Sequence, residues 1–370
     1  MRTYLLTGAT GVLGSALLAE LLCESDCQVH LLVRAVGGQE PAQRIKTLLA
    51  RIGVAPEWHS GRVHALLGDA CQPLLGVSAE DYAVLSSTVT HIIHCAGNVK
   101  SNLPAEQAER IAVDSVSSII TLAKACQRVG VLEKVEIVST IGVGGRAKGV
   151  VRETWVDPGQ EFHNSYEWAK AQAEYVVRHA MGDGIPVTVH RPSMIVGSSS
   201  TGAILHFQVF YYICDFLSGS RTAGYLPDFG QASLDIVPVD HVARAIVWSS
   251  GSRKTKGAIL HLCAGAERTV ALVALLGHVR DAYQRHGLNL PATKLIPRWL
   301  FKGLLPLATA LSSGRDQRRI RTLHFFLDYL AEDIRFDTER TDKLLRESGI
   351  ELPAVSSYIG PVLDYYLKHR

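Results

Sequence analysis

The sequence predicts an α/β fold, a doubly wound parallel sheet of the Rossmann type followed by a smaller, mostly helical C-terminal region. Short apolar runs alternate with longer helical patterns over the first 200 of the 370 residues, an order typical of βαβ units. Each run is continuously apolar, as expected where a parallel sheet is covered on both faces. A glycine-rich turn follows the first run and opens the first helical pattern. These three observations favour an open sheet with helices on both sides.

The same patterns assign the individual elements. The predicted strands cover residues 3–7, 29–33, 63–67, 90–95, 135–139, 187–190 and, late in the chain, 258–263. Helical spacing of apolar residues predicts helices near residues 12–23, 104–129 and 166–181. We expect residues 1–200, with about 235–263, to form the Rossmann domain. Residues 201–234 and 264–370 are expected to form a substrate-binding lid region.

Composition excludes several classes of function. The formal net charge is only +3, whereas proteins that bind nucleic acid normally show a strong basic excess. The seven cysteines are scattered and odd in number, which favours reduced thiols and a cytoplasmic location, and no metal site is expected. No secretory signal precedes the first strand, and no apolar run reaches the roughly 18 residues of a membrane span. Membrane contact is therefore expected to be peripheral at most, and the oligomeric state is left open.

The glycine-rich turn predicts a dinucleotide site. Glycines at this spacing after a strand allow a tight turn, a close approach of the backbone to a pyrophosphate, and close packing of helix on strand. The helix that follows offers free N–H groups and a partial positive charge to the phosphates. The predicted cofactor contacts in this turn are Thr7, Gly8, Thr10, Gly11, Val12, Leu13 and Gly14.

Arg34, at the end of the second strand, indicates which dinucleotide is bound. Enzymes that use NAD usually carry Asp or Glu near this position, because a carboxylate accepts hydrogen bonds from the ribose hydroxyls. A guanidinium instead pairs with a 2′-phosphate, so NADPH/NADP+ is the predicted cofactor, and residues 1–200 are the predicted NADP-binding domain. Arg44 is a candidate for a second phosphate contact, and Asp69, after the third strand, is a candidate for holding the adenine.

Tyr166 and Lys170 form a candidate catalytic pair. Their four-residue spacing places a phenol and an ammonium group on one face of a helix. The charge of Lys170 is expected to lower the pKa of Tyr166 and to make proton donation feasible near neutrality. Thr140, at the carboxyl end of the fifth strand, supplies a hydroxyl that can hold a substrate carbonyl. Sites in open α/β sheets lie at such strand ends.

Together these motifs resemble those of extended short-chain dehydrogenases/reductases, over about residues 1–250. The family marks are Thr-Gly-x-x-Gly-x-x-Gly, a Ser/Thr at a strand end and Tyr-x-x-x-Lys. The resemblance implies that Tyr166 is the general acid, that Lys170 also binds the nicotinamide ribose, and that Thr140 orients the carbonyl. It also implies cofactor contacts after the fourth strand and along residues 190–197, from Ala96, Arg191, Pro192 and Ser193.

Within that family, the sequence looks most like the thioester reductases. These are the reductase domains of carboxylic acid reductases and peptide synthetases, and the fatty acyl reductases. The likeness rests on the segments 32–35, 94–99, 191–202 and 235–243. Two departures bear on the proton relay and on helix packing: Asp114 replaces the usual asparagine of the helix after the fourth strand, and Ser117 replaces a common glycine.

The leading hypothesis is reduction of an acyl thioester, held on coenzyme A or an acyl carrier protein, to an aldehyde or an alcohol. One alternative is reduction of a free ketone or aldehyde by the same residues. A sugar-nucleotide epimerase is a second alternative, which Arg34 disfavours because that class retains NAD. A third is a non-catalytic NADP-sensing protein, which the Tyr166–Lys170 pair disfavours.

Three segments bear on the substrate, and each allows two interpretations. The aromatic residues of the segment 207–216 form either a substrate wall for an apolar acyl chain or plain core, and core is favoured. The stretch 299–311 is either a buried helix or a surface that rests on a membrane, and burial is favoured. A basic cluster either receives the phosphates of coenzyme A or an acidic carrier protein, or is a solvated face; it comprises Arg315, Arg318, Arg319 and Arg321.

Overall fold

A seven-stranded parallel sheet forms the centre of the molecule. The structure is a computed structural model that describes residues 1–35, 37–38, 40–55, 61–97, 103–157, 159–303 and 334–370. The strands within these residues are β1 (Arg2–Thr7), β2 (Cys27–Val33), β3 (Val63–Leu67), β4 (His91–His94), β5 (Lys134–Val138), β6 (Gly149–Val151), β7 (Val187–Pro192), β8 (Met194–Val196), β9 (Tyr225–Pro227), β10 (Ser233–Leu234), β11 (Ile236–Pro238), β12 (Ile259–Leu262), β13 (Val270–Ala271), β14 (Lys294–Ile296) and β15 (Ile334–Phe336). The helices are α1 (Val12–Cys23), α2 (Pro41–Arg51), α3 (Ala79–Thr88), α4 (Ala105–Val129), α5 (Ser165–Gly182), α6 (Val209–Leu217), α7 (Val239–Gly251), α8 (Leu272–Arg285), α9 (Glu339–Arg346) and α10 (Val355–His369).

The order of the strands places the site. The sheet runs β12-β7-β5-β4-β1-β2-β3, with every neighbouring pair parallel. The chain moves outward from β1 through β2 and β3 and then returns to β4 on the other side of β1. Ligands of open α/β sheets bind at the carboxyl ends of the strands, where the strand order reverses. The predicted fold class is confirmed.

Helices cover both faces of the sheet. On one face α1 packs against α7, and the core there includes Leu17 and Val242. On the other face α4 packs against α3 and α5, and the core there includes Ile119 and Val177. The central strands are buried on both faces, and buried polar side chains such as Lys134, Glu136 and His190 interrupt the apolar runs of β5 and β7.

The apolar patterns locate the long helices better than the short ones. The predicted helices correspond to α1, α4 and α5, with ends that differ by at most one residue. The patterns do not predict α2 or α3. α2 is an amphipathic helix that begins at Pro41 and buries Ile45, Leu48 and Leu49 on one face. α3 begins after Ser78, whose hydroxyl accepts a hydrogen bond from the Asp81 backbone N–H, so capping chemistry rather than apolar periodicity marks its start.

The C-terminal half adds small sheets and helices beside the main sheet. β12 is an outer strand of the main sheet, whereas β11 pairs with β8 outside it. β15 pairs in parallel with β6, so the C-terminal segment reaches the loop between β5 and α5. α10 packs on α8. The division into a cofactor domain and a lid remains a prediction.

Several predicted features of the substrate region are only partly described. Phe210 and Tyr211 are fully buried core residues, whereas Tyr212 is 51% exposed. The arginine cluster at 315–321 and most of the stretch 299–311 lie outside the described residues. Among the helices that the structure describes, none combines the length and apolar character needed to cross a membrane.

Candidate active site

The glycine-rich turn joins β1 to α1 with little free space on its inner side. Gly8 has a φ of +76°, and a Cβ there would lie 2.7 Å from the backbone nitrogen of Ala96. A Cβ on Gly14 would lie 2.0 Å from the carbonyl oxygen of Gly8. Only glycine therefore lets the strand, the turn and the helix approach so closely.

The outer side of this turn fits an anionic cofactor. At Gly11 a Cβ would contact only the Gly8 carbonyl oxygen, at 3.2 Å. No side chain caps α1 at Gly11, so the N–H groups of the first helical turn, which includes Val12, Leu13 and Gly14, are available to an anion. This arrangement suits the pyrophosphate of a dinucleotide.

Thr7 connects the turn to the end of β4. Its Oγ1 accepts a hydrogen bond from the Ala96 backbone N–H at 3.1 Å and lies 2.8 Å from Nδ1 of His94. Burial, assisted by the charge of Lys170, lowers the pKa of His94 to about 3, so the ring is neutral at physiological pH. The predicted cofactor residues Thr7 and Ala96 are thus brought together, and their contacts fix the spacing between the ends of β1 and β4.

Arg34 and Arg44 adjoin each other after β2. Arg34 is exposed, and the Arg44 guanidinium, from α2, donates a hydrogen bond to the Arg34 backbone carbonyl. Asp69 follows β3 at the same edge, because the preceding Gly68 N–H donates to Val33 at the end of β2, at 3.1 Å. Two guanidinium groups at one sheet edge offer several forked donors to a phosphate.

α5 places Tyr166 and Lys170 one turn apart beside a cleft. Asn164 caps this helix by accepting a hydrogen bond from the Glu167 backbone N–H. The Lys170 ammonium group donates to the Val138 carbonyl at 3.0 Å. The cleft is small and is lined by Gly97, Ala108, Ile111, Ala112, Tyr166, Ala169 and Lys170.

Burial dominates the acidity of Tyr166. It raises the pKa of the phenol to about 12, while a hydrogen bond to Thr140 acts in the opposite direction. The expectation that Lys170 brings this pKa towards neutrality is wrong for the protein alone, because the loss of hydration on burial moves the pKa in the opposite direction. Burial also lowers the pKa of Lys170. Tyr166 therefore keeps its proton across the physiological range.

Thr140 lies where predicted, immediately after β5. Its backbone is extended, and its Oγ1 accepts a hydrogen bond from the Gly142 N–H at 3.1 Å. Since it also hydrogen-bonds Tyr166, the structure brings two hydroxyl groups together at the carboxyl end of the strand. Both can donate to one oxygen atom.

Arg191, a predicted cofactor contact, has its side chain in an internal ion pair, and its contact with a cofactor remains a prediction. Arg191 is fully buried, and its guanidinium pairs with Glu174 through bonds of 3.0 Å and 2.6 Å. Pro192 ends β7, and the Ser193 N–H donates to the Leu262 carbonyl at 3.1 Å. Whether a cofactor contacts Pro192 and Ser193 remains a prediction.

Glu174 and Gly97 belong to the site but do not follow from the sequence reasoning. Glu174 lies four residues after Lys170, and this helical spacing is the signal that finds it. A Cβ on Gly97 would lie 3.3 Å from the Lys170 ammonium nitrogen.

Asp114, in place of the usual asparagine, lies partly buried on α4. The pKa of the Cys71 thiol is raised mainly by burial and by Asp69, and the charge of Asp114 adds to this effect.

A sequence profile of the male sterility protein family matches residues 6–246, from β1 into α7. The chain belongs to this family. The match includes the glycine turn, Thr140, Tyr166 and Lys170. Membership in the male sterility protein family confirms the predicted resemblance to extended short-chain dehydrogenases/reductases of the thioester and fatty acyl reductase branch, and with it an oxidoreductase that uses a nicotinamide dinucleotide.

The relatives of this male sterility family protein include parts of large synthases and a separate reductase. The chain is 30% identical over 364 positions to isonitrile lipopeptide synthase of Streptomyces coeruleorubidus, covering 95% of this chain but only 23% of that protein. It is 26% identical over 415 positions to fatty acyl-CoA reductase 1 of Homo sapiens, covering 95% of this chain and 79% of that protein. Among solved structures, the terminal R domain from the myxalamid PKS-NRPS biosynthetic pathway is similar, with a TM-score of 0.81, 29% identity, and coverage of 100% of this chain and 90% of that one.

Proposed function

We propose that the protein reduces an acyl thioester, carried by coenzyme A or by an acyl carrier protein, with NADPH as the reductant and Tyr166 as the general acid. The observation that carries this proposal is the hydrogen bond between the Thr140 and Tyr166 side chains, in a cleft that Lys170 also lines. The similar proteins include one named as a fatty acyl-CoA reductase and one that is an R domain of a PKS-NRPS pathway. Both names agree with acyl chemistry.

The residues that would hold the cofactor lie along the carboxyl edge of the sheet. The uncapped start of α1 suits the pyrophosphate, and Arg34 and Arg44 suit the 2′-phosphate. Asp69 is proposed to hold the adenine. Lys170 is proposed to bind the ribose of the nicotinamide half, since its ammonium group faces the cleft beside Gly97. NADPH bound here would supply the hydride for the reduction.

Thr140 and Tyr166 perform the proton chemistry. Their hydroxyl groups donate to the thioester carbonyl oxygen, and they stabilise the negative charge that develops there as the carbon is reduced. Tyr166 transfers its proton to this oxygen, which gives a hemithioacetal. When the C–S bond breaks, the phenolate recovers the proton from the hydroxyl group. The departing thiolate takes a proton from water, and an aldehyde remains.

The aldehyde presents the same kind of oxygen to the same two hydroxyl groups. A second reduction at this site would therefore give an alcohol. The residues proposed to receive the acyl chain belong to the lid region, where Phe207 and Tyr212 line an open groove of about 510 Å³. A cytoplasmic location is part of the proposal.

The test follows both products of the reaction. Purified protein is mixed with NADPH and acyl-CoA thioesters of several chain lengths, and NADPH oxidation and free thiol are recorded together. One thiol per NADPH is expected if the aldehyde is released, and one thiol per two NADPH if reduction continues to the alcohol. Oxidation of NADPH by simple ketones or aldehydes, with no thiol released from any thioester, would overturn the proposal in favour of a carbonyl reductase.

A further inference from the structure

A buried carboxylate lies behind the Tyr166–Lys170 pair. Glu174 is on α5, one turn after Lys170, and is 3% exposed. Its Oε1 accepts hydrogen bonds from the Ser139 hydroxyl at 2.5 Å and from Arg191 Nε at 3.0 Å, and its Oε2 accepts from Arg191 Nη2 at 2.6 Å. Ser139 directly precedes Thr140. The carboxylate therefore joins the catalytic helix to the end of β5 and to β7, in a forked pairing that fixes its orientation.

The same arginine extends the contacts towards the C-terminal segment. Arg191 Nη1 lies 3.3 Å from Nε2 of His261 on β12, and His261 Nδ1 lies 2.8 Å from the backbone carbonyl oxygen of Asp337. A guanidinium only donates and a carbonyl only accepts, so His261 accepts at Nε2 and carries its proton on Nδ1. Burial lowers the pKa of His261 to about 4, which agrees with a neutral ring. A directed chain of hydrogen bonds thus connects Glu174 with the segment between β15 and α9.

A second carboxylate fastens that segment to the loop between Thr140 and Tyr166. Glu153, in this loop, accepts from the backbone N–H groups of Arg340 at 3.0 Å and Thr341 at 3.2 Å. It also accepts from the Thr341 hydroxyl and from the His261 backbone N–H. The segment around residues 337–341 is therefore bound both to the catalytic loop and, through His261 and Arg191, to the catalytic helix.

Glu174 lies one helical turn after Lys170, and its charge favours the ammonium form of Lys170. The ionisable groups that face Lys170 among the described residues are His94 of β4, Cys95 directly after it, Tyr166 and Glu174. Burial keeps His94 neutral and raises the pKa of Cys95 to about 12, so both are uncharged near neutrality, as is the Tyr166 phenol. Burial lowers the pKa of Lys170, and the charge of Glu174 acts in the opposite direction.

We propose that Glu174 is a positioning residue for the reaction: fixed by Ser139 and Arg191, it keeps Lys170 in place as an ammonium group, and the C-terminal segment supports it through His261. The inference rests on the proposed function, because it assigns the reason for which Lys170 must stay charged. It adds to Tyr166, Lys170 and Thr140 a residue that need not touch substrate or cofactor.

The test separates this role from a merely structural one. Glu174→Gln removes the negative charge but leaves Arg191 buried without its anionic partner, so a loss of stability is expected. The double variant Glu174→Gln/Arg191→Met removes the buried pair as a unit, and its urea midpoint is expected to recover. In Glu174→Gln the alkaline limb of the kcat–pH profile should move about one pH unit lower, because Lys170 loses a nearby anion and releases its proton more readily. The double variant should shift less, because it also loses the Arg191 cation. Glu174→Asp, which retains the charge, should restore most of the original profile.

Glu136→Gln is the matched control. Glu136 is equally buried, and its carboxylate faces Lys134 and His190 in a separate cluster. The control should lose stability like Glu174→Gln while the alkaline limb keeps its position. A limb that moves equally in Glu136→Gln would show a general effect of lost stability and would overturn the proposal.

A second readout does not depend on turnover. Lysines are labelled by reductive ¹³C-methylation, the Lys170 signal is assigned by its absence in Lys170→Arg, and its pH titration is followed by NMR. The titration midpoint should fall by about one unit in Glu174→Gln relative to the wild-type protein, and by less in the double variant. Equal midpoints in wild type and Glu174→Gln would overturn the proposal. Failure of wild-type protein to reduce any thioester would instead contradict the proposed function. The titration would then still test whether Glu174 keeps Lys170 charged, because it does not depend on turnover.

Discussion

The Lys170 ammonium group donates a 3.0 Å hydrogen bond to the backbone carbonyl of Val138, and this bond ties α5 to the end of β5. Thr140 lies two residues beyond Val138, and Tyr166 lies one helical turn before Lys170. The bond therefore sets the spacing between the strand end that carries one hydroxyl and the helix that carries the other. The chemistry proposed for this site depends on that spacing.

Tyr166→Phe is expected to lower kcat by about 10²- to 10⁴-fold, because it removes the proton donor. The dissociation constant for NADPH should stay nearly unchanged, since the cofactor contacts are assigned to other residues. Steady-state kinetics and a fluorescence titration with NADPH check both values. Tyr82→Phe, on α3 and outside the cleft lining, is the control and should behave as wild type. Full activity of Tyr166→Phe would remove this residue from the mechanism.

Gly14→Ala is expected to abolish cofactor binding and to lower the melting temperature. Its Cβ would lie 2.0 Å from the Gly8 carbonyl oxygen, so the turn cannot keep its shape. Gly277→Ala is the matched control, because Gly277 lies exposed in α8 with nothing within 4 Å of an added Cβ. There alanine should stabilise the protein by about 1 kcal/mol through its helix propensity. Thermal melts and NADPH titrations of the two variants should diverge; similar behaviour would contradict the close packing of α1 on β1.

Arg34→Ala is expected to reduce the preference for NADPH over NADH by about 10- to 100-fold, since a charge-assisted contact to the 2′-phosphate of about 1.5–3 kcal/mol is lost. The ratio of kcat/KM values for the two cofactors measures this preference. Arg128→Ala, an exposed arginine at the end of α4, is the control and should leave the ratio unchanged. An unchanged ratio in Arg34→Ala would mean that the phosphate is bound elsewhere.

Buried neutral histidines are expected to make the fold sensitive to mild acid. Burial lowers the pKa of His91, His241 and His261 to about 4 and that of His94 to about 3, whereas an unfolded histidine titrates near about 6.5. Below about pH 6.5 the unfolded chain therefore binds protons that the folded protein does not, and stability falls as the pH falls towards 4. Each such histidine contributes roughly 1.4 kcal/mol per pH unit in this window.

Urea unfolding at pH 7.5, 6.5 and 5.5 measures this dependence. His241→Gln removes one titrating group. The unfolding free energy of this variant should therefore depend less steeply on pH than that of the wild type, and the difference should equal the contribution of one histidine. A wild-type unfolding free energy that stays constant between pH 6.5 and 5.5 would show that these rings are solvated in solution.

The features that the sequence predicts well are those set by local backbone geometry. Gly8 and Gly14 are required by close approaches within one strand–turn–helix unit, and the spacing of Tyr166 and Lys170 follows from helical periodicity alone. The strands are visible as short, mainly apolar runs, although buried polar residues such as Lys134, Glu136 and His190 interrupt two of them. These signals lie within short stretches of chain and need no knowledge of distant contacts.

The features that the sequence does not predict arise from contacts between distant elements. The raised pKa of Tyr166 results from burial of its phenol in the folded site. The guanidinium of Arg191 is held by Glu174, a carboxylate from another element of the fold. β6 and β15 are three residues each and lie far apart in the chain, so neither shows a periodic pattern. Single short strands and buried ion pairs are specified by tertiary packing.

The most direct test of the account is the destination of the hydride. Purified protein is incubated with a long-chain acyl thioester and NADPH that carries deuterium at both C4 positions, and the products are analysed by mass spectrometry. The account predicts one deuterium at the former carbonyl carbon for each reduction, with thiol released in step and both signals lost together in Tyr166→Phe. Thiol release without deuterium in the acyl product would contradict it.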